Sequence, residues 1–378
     1  MAPTSESMTG TRWVVSMCVL CVVEAILGPL ALACCVAWSV TFLVARLRRR
    51  ECYGGASMTA IVVLAWRAVA SDVGARPDPA ASRLLRALPG TWPAAYAAAA
   101  ALQRIAFRAA GFHRRASSAL AAGAGAPASP RGATATLLSH PLVSVLRRVP
   151  MFGVVPTRSL VIDDAIAEVQ PQQLVVLGAG FDSRGHSLSG DGAGRPGALP
   201  PACVVFEVDA PATQRLKRLC VATAAAGRAE PRSVRGGDRV RFVPCDFNDE
   251  SWRARLEGEP GFDATLRTLY VWEGVSYYLP PDVVESTLRD LAVLLRAGAA
   301  AGSLVAVDVF ADDIVRARNA RGKLMQGVLR IVGEPLLYGV ASLTGLAEWA
   351  AAFGLRVTRE EVAASGDAAV FVAVAAES

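Results

Sequence analysis

Two closely spaced glycines follow an apolar run near the middle of the chain. Residues 174–177 read Leu-Val-Val-Leu, and Gly178 and Gly180 come directly after them. A glycine turn at the carboxyl end of a strand lets the backbone approach a ligand closely. Ser183 stands where a dinucleotide-binding fingerprint would carry its third glycine. A nicotinamide dinucleotide site is therefore the less favoured interpretation.

Acidic residues end the next three apolar runs. Asp209 closes Val-Val-Phe-Glu-Val-Asp, Asp246 closes Phe-Val-Pro-Cys-Asp, and Glu273 closes Leu-Tyr-Val-Trp-Glu. These carboxylates would suit the two hydroxyls of a ribose, an adenine amine and a cationic group, respectively. Because parallel strands end at one crevice of an open α/β sheet, the three acids and the glycine turn predict a single ligand site. For Asp209, the alternative is an N-cap of the helix that begins near Pro211.

The elements that would position these residues fill the second half of the chain, where short β-rich runs alternate with helical stretches. This alternation is typical of a parallel α/β sheet, and a terminal strand pair brings the expected number of strands to seven. The sequence therefore predicts a Rossmann-like, seven-stranded α/β fold. The predicted strands are 174–177, 204–208, 240–244, 269–272, 304–309, 355–359 and 369–375, and the predicted helices are 158–169, 211–226, 281–297 and 344–353.

Several motifs resemble, in order and spacing, those of the leucine carboxyl methyltransferase family, especially its bacterial and algal branch of S-adenosylmethionine-dependent methyltransferases. The resemblance covers residues 56–375. The three main motifs are Gly-Ala-Gly-Phe-Asp-Ser-Arg at 178–184, Phe-Glu-Val-Asp-Ala-Pro at 206–211 and Trp-Glu-Gly-Val-Ser-Tyr-Tyr-Leu at 272–279. Supporting segments are 57–60, 158–163, 302–308 and 333–336, of which the last two resemble later strands of the family.

The resemblance implies a class I methyltransferase fold with a helical N-terminal lid, and S-adenosyl-L-methionine as the cofactor. It also implies six cofactor-binding residues: Arg158 for the carboxylate, Gly178 and Gly180 for the methionine part, Asp209 for the ribose, Asp246 for the adenine amine and Glu273 for the amino group. One departure concerns residues 185–187, which read Gly-His-Ser where the family commonly has an aromatic and then a basic residue. This loop lies near the expected substrate entrance.

The reaction that the resemblance implies is in-line methyl transfer to a carboxyl or hydroxyl oxygen of a small or lipid-like molecule. A carboxylate acceptor needs positioning and desolvation more than a base. The catalytic candidates are Tyr277, as pocket wall or to orient the acceptor, and His186, as a base or merely a surface-loop histidine. No metal site is predicted. The alternatives are a protein carboxyl methyltransferase and a catalytically silent, membrane-tethered binding module.

The N-terminus is almost continuously apolar from 14 to 45 and is followed by Arg46 and Arg48–Arg50. Its length exceeds the roughly 20 residues that cross a bilayer. The sequence therefore predicts a single transmembrane helix within 14–47, with the catalytic domain facing the cytoplasm because basic flanks stay inside. Glu24 and Pro29 interrupt the run, so a re-entrant arrangement stays open, as does an organelle membrane.

This anchor divides the chain into a tail and anchor at 1–55 and a methyltransferase domain at 56–378. The domain would carry lid elements over 56–155, with an insertion at 116–133, and Ser57 would cap its first helix. The net charge of +6 is mild, and the basic residues form no stripe with interleaved aromatics. This charge pattern argues against a nucleic-acid partner.

Overall fold

The computed structural model describes residues 40–72, 78–91, 150–187, 197–226, 239–363 and 365–377, with a few isolated positions between 33 and 101. The insertion 116–133 and most of the apolar segment 14–47 lie outside the described residues. Within the described part of the chain, no helix has the combination of length and apolar character needed to cross a bilayer.

The chain divides into two compact units. The first comprises Met1–Cys52 and Ala65–Val145, and the second comprises Tyr53–Leu64 and Leu146–Ser378. In the first unit, the Asp78 side chain caps the helix Pro79–Arg86 by accepting the Ala81 N–H at 3.1 Å. The same side chain pairs with buried Arg67 at 3.2 Å. The N-terminal helices are α1 (Arg50–Tyr53), α2 (Met58–Asp72) and α3 (Pro79–Arg86).

The second unit contains a seven-stranded sheet, which confirms the fold predicted from the sequence. The strands are β1 (Gln173–Leu177), β2 (Val204–Asp209), β3 (Val240–Pro244), β4 (Thr268–Trp272), β5 (Leu304–Phe310), β6 (Leu355–Val362) and β7 (Ala368–Ala375). Their spatial order is β3-β2-β1-β4-β5-β7-β6. Neighbours among β1 to β5 are parallel, and β7 runs antiparallel to both β5 and β6. The strand order reverses between β1 and β4, which is where such sheets bind ligands.

Helices accompany the strands. They are α4 (Pro150–Val169), α5 (Pro211–Ala226), α6 (Trp252–Glu257), α7 (Pro281–Ala297), α8 (Asp312–Val315), α9 (Ala320–Val332) and α10 (Leu346–Ala351). Alternate side chains of each central strand point to opposite faces of the sheet. Tyr270 and Trp272 therefore pack in one apolar cluster with α7, whereas Leu269 and Val271 pack in another with α4.

The structure decides two predictions about local structure, the cap at Ser57 and the strand at 333–336. Ser57 does cap α2, because its hydroxyl accepts the Ala60 N–H at 3.2 Å. The expectation that 333–336 belongs to a strand is wrong. Gly333 adopts a left-handed conformation with φ of 83° and ends α9, so the following residues form a loop. A left-handed glycine is a common helix terminator, which explains the difference.

Candidate active site

The glycine turn at the end of β1 adopts backbone conformations that favour glycine. Gly178 has φ of 64° and Gly180 has φ of 46°. A Cβ atom at Gly178 would collide with the Val275 side chain. The N–H groups of Gly178 and Ala179 both donate to the Val208 carbonyl, at 2.8 and 3.1 Å. The turn is thus fixed against β2, and Val275 and Ala60 pack closely against its two glycines.

Asp209 at the end of β2 is bonded to this turn. Its carboxylate accepts the N–H of Gly180, and its other oxygen accepts the Ala210 N–H at 2.6 Å. Neither donor belongs to α5. The Asp209 side chain is therefore bonded to the glycine turn and does not cap that helix. Desolvation by burial raises the pKa of Asp209 to about 6, although the two backbone N–H groups partly oppose the increase.

Asp246 lies two residues beyond β3, beside the end of β2. The preceding N–H, that of Cys245, donates to the Asp209 carbonyl at 2.9 Å and so joins the two strand ends. The Asp246 residue is partly exposed, and its Oδ1 accepts the backbone and side-chain N–H groups of Asn248, both at 3.0 Å. It therefore has acceptor capacity that faces outward from the sheet edge.

Arg158 in α4 occupies the opposite side of the strand ends. Its side chain is only 3% exposed, and its Nε donates to Glu273 Oε1 at 2.9 Å. Its Nη1 donates to Asp308 Oδ2 at 2.9 Å and to the Tyr277 hydroxyl at 3.1 Å. The structure thus brings Arg158 and Glu273 together, but as partners of each other. Nη2 takes no part in these three bonds.

Asp308 completes this arrangement from β5. Its Oδ1 accepts the Gly274 N–H at 2.7 Å, and its backbone carbonyl accepts the Ser276 hydroxyl at 2.8 Å. Burial raises the pKa of Asp308, while the Arg158 guanidinium acts in the opposite direction. A Cβ atom at Gly274 would lie 3.2 Å from Arg158 Nη1. Glycine at this position therefore lets the guanidinium pass close to the chain.

A second arginine holds the other oxygen of Glu273. Arg184 Nη1 donates to Glu273 Oε2 at 2.9 Å and also bonds to Asp182, whose Oδ1 accepts the Arg184 backbone N–H at 2.7 Å. Glu273 consequently lies between two buried guanidinium groups. We call the set Arg158, Asp182, Arg184, Glu273, Tyr277 and Asp308 the arginine network.

Tyr277 is a buried member of this network. It is 4% exposed, and its ring packs edge-on against Phe310 with centroids 4.4 Å apart. Burial raises the pKa of Tyr277 well above its usual value, and the charge of Asp308 raises it further. The phenol therefore stays protonated at neutral pH. It can orient a group by hydrogen bonding, but it does not act as a phenolate base.

The interpretation of His186 as a surface-loop residue is wrong. Its side chain is 6% exposed, and its Nε2 lies 2.9 Å from Glu207 Oε1. The other oxygen of Glu207 lies 2.6 Å from the fully buried Lys217 Nζ. Burial by itself raises the pKa of Glu207, but Lys217 and His186 outweigh it, so the pKa is lowered. His186 is thus part of a buried ionic cluster behind the strand end.

Sequence reasoning gave no role to Asp308 or Arg184, although both lie in segments whose resemblance to the family is noted above. A signal was available for Asp308, because it lies near the end of the fifth strand just as Asp209, Asp246 and Glu273 follow the strands before it. Arg184 stands two residues after Asp182. Its partner Glu273 is 89 residues away, and no local pattern indicates that contact.

Solved structures with a similar chain path include a provisionally named methyltransferase from Thermobifida fusca, with 13% identity and a TM-score of 0.38 over 63% of this chain and 89% of that one. Another is the magnesium protoporphyrin IX methyltransferase of Synechocystis with bound SAH, with 11% identity and a TM-score of 0.37 over 61% and 87%. At these scores the likeness carries no conclusion about function.

Relatives by sequence are provisionally named S-adenosyl-L-methionine-dependent methyltransferases. A protein of Mycobacteroides abscessus is 29% identical over 52% of this chain and 60% of its own length. A protein of Mycolicibacterium paratuberculosis is 32% identical over 52% of this chain and 56% of its own length. The chain thus spans less than two thirds of the relatives that it matches.

The family model described as leucine carboxyl methyltransferase matches residues 60–292, which is more than half of the 378 residues. The matched range includes the glycine turn, Asp209, Asp246 and all of the arginine network except Asp308. The chain therefore belongs to the leucine carboxyl methyltransferase family.

Proposed function

We propose that this protein is an S-adenosylmethionine-dependent methyltransferase. The observation that carries the proposal is the bond between the Asp209 carboxylate, which ends β2, and the Gly180 N–H in the turn that ends β1. This bond places an acid beside the glycine turn at the switch point of the sheet. Family membership and the names of the relatives support the same function.

The residues on the β1–β3 side fit the adenosine part of this cofactor. Each carboxylate oxygen of Asp209 accepts one backbone N–H and keeps a second lone pair, so both can still accept ribose hydroxyls. Asp246 is partly exposed and can accept the adenine amine. Gly178 and Gly180 add no side chains of their own to the turn, and both adopt a positive φ that favours glycine.

The residues on the β4–β5 side of the site fit the methionine part of the cofactor by charge. Arg158 matches a carboxylate, for which its planar fork of donors is suited, and Glu273 matches an ammonium group. Within the protein these two residues pair with each other at 2.9 Å. A zwitterionic ligand presents both charges at once, so it can exchange partners with this ion pair without leaving either buried charge uncompensated.

The proposed acceptor is a carboxyl or hydroxyl oxygen of a small or lipid-like molecule. Bound S-adenosylmethionine supplies an electrophilic methyl group on its sulfonium. A carboxylate acceptor is already ionised at neutral pH, so the protein needs to orient and desolvate it. Tyr277 provides a protonated hydroxyl 3.1 Å from Arg158 Nη1, suited to orientation. The second candidate acceptor is a protein carboxyl group, which the description of the family favours.

Calorimetry on the full chain in detergent tests the cofactor assignment. We expect S-adenosylhomocysteine to bind and NAD to produce no heat, because the third fingerprint glycine is replaced by Ser183. Binding of NAD without binding of S-adenosylhomocysteine would refute the assignment. Radiolabelled S-adenosylmethionine incubated with fractionated small molecules, lipids and proteins then identifies the acceptor class. A protein that binds the cofactor but labels none of the fractions would favour a silent binding module.

We further propose that residues 14–47 anchor the chain in a membrane with the methyltransferase domain in the cytoplasm. Support comes from the apolar run and from the four arginines at 46 and 48–50, which resist translocation. Alkaline carbonate extraction distinguishes a spanning segment from peripheral attachment. Protease treatment of sealed vesicles then reports the orientation, and a domain protected within the lumen would contradict it.

A further inference from the structure

Helix α9 presents an apolar stripe to solvent, on the surface of the second unit. Leu324 is 62% exposed, Val328 is 47% exposed and Ile331 is 87% exposed. Their spacing of four and then three residues places them on one side of an α-helix. An exposed stripe of large aliphatic side chains on one helix marks an interaction surface more often than a chance exposure.

The helix that carries the stripe is firmly held by its other face. Met325 and Leu329 are buried, at 5% and 1% exposed. Buried Gln326 donates to the Leu336 carbonyl at 2.8 Å, and Asn319 caps the first turn by accepting the Gly322 N–H at 2.8 Å. The exposed stripe therefore belongs to a fixed amphipathic helix with a well-defined outer face.

Basic residues flank the stripe on both sides. At about 100° per residue, Arg321 falls on one side of the line through Leu324 and Ile331, and Lys323 and Arg330 fall on the other. The helix sequence, Ala-Arg-Gly-Lys-Leu-Met-Gln-Gly-Val-Leu-Arg-Ile-Val, contains no acidic residue. Arg321 pairs with Asp367 at 3.1 Å, whereas no described acidic side chain pairs with Lys323 or Arg330.

We propose that α9 is a membrane-docking helix that lies in the interface of an anionic phospholipid bilayer. Apolar side chains between flanking cations are the pattern by which interfacial helices insert one face and meet lipid phosphates with the other groups. Charge complementarity selects this occupant, because Lys323 and Arg330 have no acidic partner among the described residues and suit an anionic surface.

The stripe is linked to the candidate active site through the loop that follows α9. Glu334 accepts the N–H groups of Met58 and Thr59 at 2.6 and 3.0 Å. The Leu337 N–H donates to the Tyr277 carbonyl at 2.7 Å. Docking through α9 would therefore hold the arginine network at a fixed position relative to the bilayer.

Hydrogen–deuterium exchange on the full chain tests the proposal locally, without relying on methyl transfer. The exchange rate of peptides covering 320–332 is measured in three conditions: without vesicles, with phosphatidylcholine vesicles, and with mixed phosphatidylserine–phosphatidylcholine vesicles. We expect protection of these peptides only on the anionic vesicles. The double variant L324E/I331E should lose the protection, and L219E, a charge placed on the exposed Leu219 of α5, should keep it.

Every other outcome overturns the proposal. Equal exchange of 320–332 in all three conditions, while the chain co-sediments with vesicles, would show that α9 does not touch lipid. Protection without vesicles that grows with protein concentration would identify a second copy of the chain as the partner. Exchange without vesicles that is faster in L324E/I331E than in wild type at every concentration would mean that another segment of the same chain covers the stripe. Circular dichroism of L324E/I331E confirms that the variant is folded.

Discussion

The two sides of the candidate site treat their acidic residues differently. On the β4–β5 side, Glu273 and Asp308 are buried and are paired with Arg158, and Glu273 also meets Arg184. On the β2–β3 side, Asp209 and Asp246 accept N–H groups, mainly from the backbone. The first side therefore has its charges compensated within the protein, whereas the second keeps acceptor capacity for a ligand.

This difference indicates that the charged residues on the β4–β5 side contribute to the stability of the fold as well as to the proposed binding, whereas Asp209 and Asp246 contribute mainly to binding. Removing one member of a buried ion pair leaves the other charge uncompensated in a medium that solvates it poorly. Removing an acid that accepts only N–H groups should lower the free energy of unfolding by less. Variants on the two sides should consequently differ in whether they change unfolding or ligand affinity.

The largest expected effect is that of Arg158→Ala on stability. The substitution leaves Glu273 and Asp308 without one of their cations, and we expect a loss of about 3–5 kcal/mol in the free energy of unfolding, as measured by urea titration. Arg253→Ala is the matched control, because its pair with Glu257 is half-exposed and should contribute less than about 1 kcal/mol. Similar losses in the two variants would contradict the large contribution of the buried Arg158 pairs to stability.

Asp209→Ala should weaken S-adenosylhomocysteine binding with little change in unfolding. Charge-assisted bonds to ribose hydroxyls contribute roughly 1.5–3 kcal/mol, which corresponds to about one to two decades in affinity. Asp209→Asn keeps the shape and one acceptor oxygen, so its affinity should fall between those of the other two forms. Calorimetry and thermal unfolding separate the effects. A variant that unfolds while its affinity is preserved would assign Asp209 to the fold.

Cofactor affinity should depend on pH through Asp209, whose pKa lies at about 6. Only the ionised carboxylate accepts both ribose hydroxyls, so affinity should rise with pH through this value and level off above it. Between pH 7 and pH 5 the expected loss is about tenfold, because protonation competes with binding by one decade per pH unit below the pKa. Asp209→Asn should abolish this dependence.

The same pKa fixes the sign of a smaller effect on stability. The pKa of Asp209 is higher in the folded chain than its ordinary value of 3.8. Its contribution to folding is therefore most favourable below that value and is lost as the pH rises through about 6. Comparing urea titrations of wild type and Asp209→Asn across this range checks the direction.

The smallest expected effect is that of Asp246→Ala. A single bond to an adenine amine contributes about 0.5–1.5 kcal/mol, and the partly exposed side chain adds little to folding. Asn248→Ala removes the amide that donates to Asp246 Oδ1 at 3.0 Å and leaves the carboxylate in place. We expect reduced affinity only in the first variant. Equal losses would indicate that the loop conformation matters more than the carboxylate.

Much of the fold could be predicted from the sequence, because its evidence is local. Apolar runs such as 174–177 and 269–272 have the length and composition of buried strands, and the structure places β1 and β4 over them. The positions of Gly178 and Asp209 at strand ends follow from the same runs. The order and spacing of the motifs identified the family.

The tertiary structure alone decided which of these residues contact one another. Arg158 and Glu273 are 115 residues apart, and Arg158 and Asp308 are 150 apart. No sequence period connects them; they meet because α4 packs on the sheet beside the ends of β4 and β5. The sequence predicted that Arg158 binds the carboxylate and Glu273 the amino group of the cofactor, whereas the fold pairs the two residues with each other.

Burial was the other property that only the tertiary structure determined. His186 stands in a segment rich in glycine and serine, which favoured a surface loop, yet its ring lies beside Glu207 at the end of β2. Conversely, no helix over 320–332 was predicted from the sequence, and only the packing of Met325 and Leu329 shows that Ile331 faces outward. Local sequence fixes secondary structure through short-range periodicity, but exposure depends on which elements pack together, and that is a property of the whole fold.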